Sequence, residues 1–102
     1  MAARYNQEEL MERAKELLSA EPDPAGTVDL IGEKGSVCVA ASADEMKSAF
    51  KRIKKAVPGY RWVVINRDDL FAANTLSLGT KAGIMDGDGG ILKAANLPRK
   101  KV

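Results

Sequence analysis

Apolar side chains first recur along this chain at helical spacing. Leu10, Met11, Ala14, Leu17 and Leu18 fall on one face of a 3.6-residue repeat, with charged residues between them. Asn6-Gln7-Glu8-Glu9 stands ahead of the stripe and has the form of a capping box, with Tyr5 and Leu10 at the positions of a hydrophobic staple. Glu21-Pro22-Asp23-Pro24-Ala25-Gly26 then ends the helix, because each proline lacks an amide donor and constrains the residue before it.

The pattern changes after Gly26. Residues 27–31 and 36–41 are short β-prone runs around Gly32-Glu33-Lys34-Gly35, whose end glycines suit a hairpin connection. Ser42-Ala43-Asp44-Glu45 has the S-x-x-E form that starts a helix. Met46, Ala49, Phe50, Ile53 and Val57 give that second helix its buried stripe, and Pro58-Gly59 stops it. Trp62, Val63, Val64 and Ile65 make residues 60–66 a mostly apolar run, which predicts a central strand.

The last third carries weaker signals. Residues 68–76 predict a short helix with Leu70, Phe71 and Ala73 supplying apolar contacts. Residues 78–85 and 90–95 flank Asp86-Gly87-Asp88-Gly89, a glycine-rich hairpin turn. The order α-β-β-α-β-(α)-β-β predicts an α+β fold over residues 1–102 as a single small domain. We expect an antiparallel or mixed sheet of about five strands, two main helices against one face, and a flexible basic tail at 97–102.

Composition narrows the chemistry. With 102 residues, 45% of them apolar and 29% charged, the chain has the makeup of an ordinary globular protein able to bury one core. Histidine is absent, which removes the Ser-His-Asp triad, the Cys-His dyad and every histidine-containing zinc site. The single cysteine, Cys38, can build neither an internal disulfide nor a thiolate metal site. Its apolar neighbours Val37 and Val39 predict a buried, inert thiol, and the lack of disulfides suits a cytoplasmic setting. No apolar run approaches the roughly 18 residues that span a bilayer. No catalytic residue, metal ligand or cofactor is therefore expected.

Charge adds the one functional signal. Residues 1–46 hold four basic and ten acidic side chains, net −6, whereas residues 47–102 hold twelve basic and four acidic, net +8. On the second helix Lys47, Lys51, Lys54 and Lys55 fall along one flank of the apolar stripe, with Arg52 on the other side. Arg61, Arg99, Lys100 and Lys101 extend that patch toward an acidic protein surface or toward phosphates. A solvated helix face, or one turned to the acidic first helix, explains the same lysines.

Three smaller motifs read as structure. A G-x-x-G loop clamps nucleic acid in KH domains between two helices, and Ser36-Val37-Cys38-Val39 is not helical in composition, so Gly32–Gly35 reads as a turn. Asp86-Gly87-Asp88 begins like a calcium loop, but Ile91 and Leu97 stand where the loop needs glycine and glutamate. Trp62 is expected in the core. These observations point to a small binding module acting by protein–protein contact, of the regulator, inhibitor or adaptor kind found in phages and mobile elements. A nucleic-acid-binding domain is the alternative, and an enzyme built on Asp68, Asp69, Asp86 or Asp88 the third reading. No membrane partner is expected, and the oligomeric state is not legible.

Overall fold

Asn6 and Glu9 close the expected capping box in both directions. The Asn6 side chain accepts from the Glu9 amide at 2.8 Å, and Glu9 Oε1 accepts from the Asn6 amide at 3.1 Å. They open α1 (Gln7–Leu18), whose Leu10, Ala14 and Leu18 are buried. The computed structural model describes residues 4–33, 35–55 and 60–94. Ser19, in the left-handed region at φ 48°, ends α1 and turns the chain directly into β1 (Ala20–Pro22). The sequence pattern did not predict this strand. It is three residues long and contains a proline, which is tolerated because β1 lies at the sheet edge and pairs only with its one neighbour.

The remaining elements follow the expected order. They are β2 (Leu30–Gly32), β3 (Gly35–Ala40), α2 (Ala43–Ile53), β4 (Arg61–Ile65), a 3-10 turn (Arg67–Asp69), α3 (Leu70–Ser77), β5 (Gly83–Asp86) and β6 (Ile91–Lys93). Among the described residues the sheet is mixed and has six strands, in the order β1-β2-β3-β4-β5-β6. The strands β3, β4 and β5 run parallel, while both edges are antiparallel. The β2–β3 turn depends on Gly35. Its φ of +117° disfavours other residues, and a Cβ there would collide with the Tyr60 carbonyl oxygen, which accepts from the Ser36 amide at 3.0 Å.

One expectation needs correction: the two main helices do not share a face. On one side Cys38, Ala40, Val63, Ile65 and Ile84 meet Met46, Ala49, Phe50 and Ile53 of α2 and Ala73 of α3. On the other, Val37, Val39, Trp62, Val64 and Met85 meet Leu10, Ala14 and Leu18 of α1. The reason lies in β3 and β4, whose successive side chains are apolar and buried on both faces. Crossovers of one hand between neighbouring parallel strands keep α2 and α3 together. The opposite face is then left to α1.

Side chains finish what the ladders leave open. Just before β2 begins, Asp29 Oδ2 accepts from the Val39 amide at 2.8 Å, and the same carboxylate takes Arg52 at 2.8 and 3.3 Å. At the carboxyl ends of the parallel strands, Asn66 clamps the backbone of Tyr5, accepting its N–H at 2.7 Å and donating to its carbonyl at 2.9 Å. Gln7 accepts from the Ala41 amide and donates to the Val39 carbonyl, both at 2.8 Å, while Arg4 donates to the Ala41 carbonyl at 2.9 Å. Residues 4–7 thus strap across that end of the sheet. The expected tail at 97–102 lies outside the described residues, as do Val57, Pro58 and Gly59.

Two outcomes test this packing. Phe50→Ala should cost about 3–5 kcal/mol in a urea melt, through lost burial and the cavity left behind; a loss below about 1 kcal/mol would remove α2 from the core. Cys38 is fully buried, and burial pushes its thiol up to about 11. It should therefore resist a thiol reagent in native protein at neutral pH and react only on unfolding.

Candidate functional site

The lysines of α2 are placed by the same stripe that buries Met46, Ala49, Phe50 and Ile53. Ser42 fixes the start of the helix, its hydroxyl accepting from the Glu45 amide at 3.3 Å. Lys47, Lys51, Lys54 and Lys55 are all exposed, and none forms an ion pair among the described residues. They stand on the outward crest of the helix and just past its end, clear of the buried stripe. Lys47 borders α3, whereas Lys55 borders a shallow groove on the β2 side, beside Val28 and Ile31. Arg52 is drawn down to Asp29, which holds the guanidinium charged and raises it above its ordinary value.

The rest of the expected patch divides. Arg61 is half-buried at the start of β4, and its guanidinium donates to the Thr80 carbonyl at 3.1 Å. Its hydrogen bonding ties the strand to the loop after α3. Arg99, Lys100 and Lys101 lie outside the described residues. The acidic side chains Glu8, Glu9, Glu12 and Glu16 are exposed on α1, across the sheet from α2. The lysine crest therefore does not pack on the first helix, and the two charged surfaces lie back to back.

A residue outside the expected patch stands next to it. Phe71, expected to supply apolar contacts, is 90% exposed in the first turn of α3. Its ring borders two shallow grooves. One, of about 390 Å³, runs between α2 and α3 and is lined by Ala43, Met46, Lys47, Ala72, Thr75 and Leu76. The other, of about 500 Å³, lies toward β6 beside Leu70, Asn74 and Leu92. Because α3 is apolar nearly all the way round, its periodicity did not show which residue would face out.

Three of the four carboxylates singled out by the sequence, Asp69, Asp86 and Asp88, are engaged by protein groups, while Asp68 is exposed. Asp69 takes Arg4 at 3.2 and 3.3 Å. Asp86 Oδ1 accepts the amides of Gly90 and Asp88 at 2.8 and 2.9 Å, closing the β5–β6 turn. Asp88 accepts the Tyr5 hydroxyl at 2.6 Å, which raises the phenol above its ordinary value, and pairs with Arg13 at 3.7 Å. Gly87 lies against the Tyr5 ring and Leu10, so it serves close packing. Among the described residues no three His, Cys, Asp or Glu side chains form a set that could hold a metal ion. No helix among them is long and apolar enough to cross a membrane. Trp62 is buried under α1, while Tyr60 is half exposed.

With this geometry in view, comparison with known proteins gives no family: no family model, no curated protein and no solved structure matches the chain.

The groove beside Lys55 is shaped by Asp23, whose carboxylate accepts the amides of Val28, Ala25 and Thr27 at 3.1, 2.9 and 2.9 Å. These amides hold its carboxyl below the usual aspartate value. A depressed native value contributes stability above the unfolded-state value, and that contribution is lost as pH falls through the native one. In an NMR titration the Thr27 and Val28 amides should therefore report an inflection below the ordinary aspartate range. Asp23→Asn should remove it, and a titration at or above the ordinary value would contradict the loop geometry.

Proposed function

We propose that this chain is a small binding module without enzymatic activity, working in the cytoplasm by contact with a protein of acidic surface. It would act as a regulator, inhibitor or adaptor. The observation that carries the reading is Phe71, an almost fully exposed ring beside an apolar groove, with Lys47 on its rim and further exposed lysines beyond it along α2. A lone exposed apolar residue is ordinary, but an aromatic ring continuous with further apolar surface has the composition of an interface centre. Lysines around it steer an acidic partner and speed encounter. The buried thiol of Cys38 supports a reducing compartment.

The nucleic-acid alternative draws on the same Lys47, Lys51, Lys54 and Lys55. Phosphates need cations and gain nothing from Phe71 unless a base stacks on it. The two readings part in one experiment. Tagged protein is used to retain binders from extracts of its own cells, and each retained protein is purified and titrated against wild type, Phe71→Ser and the pair Lys51→Glu with Lys55→Glu. We expect a directly binding protein whose affinity falls about tenfold in Phe71→Ser, the scale of a single interface anchor. The lysine pair should mainly slow its association. Equal binding by wild type and Phe71→Ser would overturn the reading. So would tight binding of generic duplex or single strands that falls steeply with salt, which would promote the nucleic-acid alternative.

A further inference from the structure

We infer that the groove between α2 and α3 receives an acidic amphipathic helix of the partner protein, with Phe71 packed against that helix's apolar stripe. This rests on the protein-contact reading and narrows it to one class of occupant. Both walls of the groove are helices, α2 over Ala43–Ile53 and α3 over Leu70–Ser77. Their backbone donors and acceptors are consumed within the helices, so the groove offers no free edge to which an extended peptide could add as a strand. Recognition there must use side chains, and a groove between two helices with a mostly apolar lining matches the helix-in-groove mode.

The surface sets the chemistry of the occupant. Ala43, Met46, Ala72 and Leu76 line the groove and Phe71 forms its wall, so the occupant presents apolar residues at i and i+4 or i+3. Eight residues of α3 extend about 12 Å, enough for roughly two turns of a packed helix. On the α2 rim Lys47 borders the groove, and Lys51 and Lys54 follow toward the helix end, all exposed. A partner helix laid between the walls brings one polar flank against these amines, and carboxylates on that flank complete the match.

Charge decides against the occupants nearest at hand. A second copy docked through the same face would set lysines against lysines. The outer face of α1 in a second copy supplies Glu8, Glu9, Glu12 and Glu16 but no exposed large apolar residue for Phe71. The chain's own residues 95–102 carry Arg99, Lys100 and Lys101, the wrong sign for that rim.

The test titrates isotope-labelled protein with three short synthetic helices and follows backbone amide shifts. The first has leucines at i, i+4 spacing and a glutamate flank; the second replaces the leucines with glutamine; the third replaces the glutamates with lysine. We expect the first to shift the amides of residues 43–47 and 70–76, and to become helical by circular dichroism as it binds. The other two should bind at least about tenfold more weakly, as should the first peptide to Phe71→Ser or Lys47→Glu, a change of about 1.4 kcal/mol. Shifts confined to other surfaces, or equal binding of the acidic and basic helices, would overturn the inference. If all three peptides fail while a purified natural partner binds in a Phe71-dependent way, the helical occupant falls and the protein-contact reading stands. If that partner also binds Phe71→Ser unchanged, both fall.

Discussion

Two neighbouring parallel strands with apolar side chains on both faces set the terms for the rest of the molecule. In β3, Val37 and Val39 point one way and Cys38 and Ala40 the other; in β4, Trp62 and Val64 oppose Val63 and Ile65. Such a pair can face water on neither side, and each face needs a helical cover. The crossovers supply α2 and α3 to one face as a matter of connectivity. Among the described residues the other face has only α1, which precedes the sheet in sequence and must be brought back to it. Hence the left-handed Ser19 that redirects the chain, and the hydrogen bonds that hold residues 4–7 to β3 and Asn66.

The same layering settles what the divided charge does. The acidic half and the basic half do not neutralise each other, because the sheet lies between the exposed glutamates of α1 and the exposed lysines of α2. Two ion pairs among the described residues run against the division. Arg4 and Arg13, from the acidic half, hold Asp69 and Asp88 from the basic one. Among the described residues Arg52 with Asp29 is the pair that joins the halves in the expected sense, and it is buttressed by the Val39 amide. None of the ion pairs among the described residues involves the lysine crest of α2.

Much of the local structure was legible because its signals are local. The Asn6–Glu9 box, the Ser42 cap, the glycine-bounded turns and the apolar stripe of α2 each depend on residues a few positions apart. What escaped was tertiary. A stripe such as Leu10, Ala14 and Leu18 says that a helix has one buried side, but not which face of a sheet it meets. The strand β1 is too short, and too encumbered by Pro22, to announce itself without the partner that pairs with it. Phe71 was misplaced because Leu70, Phe71, Ala72, Ala73 and Leu76 give α3 no clear polar side, and only contact with α2 and β5 decides which of them is covered. The lysines were recognisable as surface from their spacing. The groove beside them was not, since it exists only where two helices separated by a strand lie side by side.

The strap over the carboxyl end of the sheet bears on the order in which the protein assembles. Joining Tyr5 to Asn66 closes a separation of 61 residues, and joining Arg13 to Gly87 closes one of 74. Contacts so distant in sequence carry the largest loop-closure cost and form late unless nearer ones have already gathered the chain. The face formed by Val37, Val39, Trp62, Val64 and Met85 cannot be sealed by α1 before β4 and β5 are in place. Between those events a half-built sheet exposes a smooth apolar surface to its neighbours, which is the kind of species that aggregates. During synthesis α1 emerges before the sheet yet must wait for its seat, so this helix, rather than the sheet, closes the window in which this chain is vulnerable.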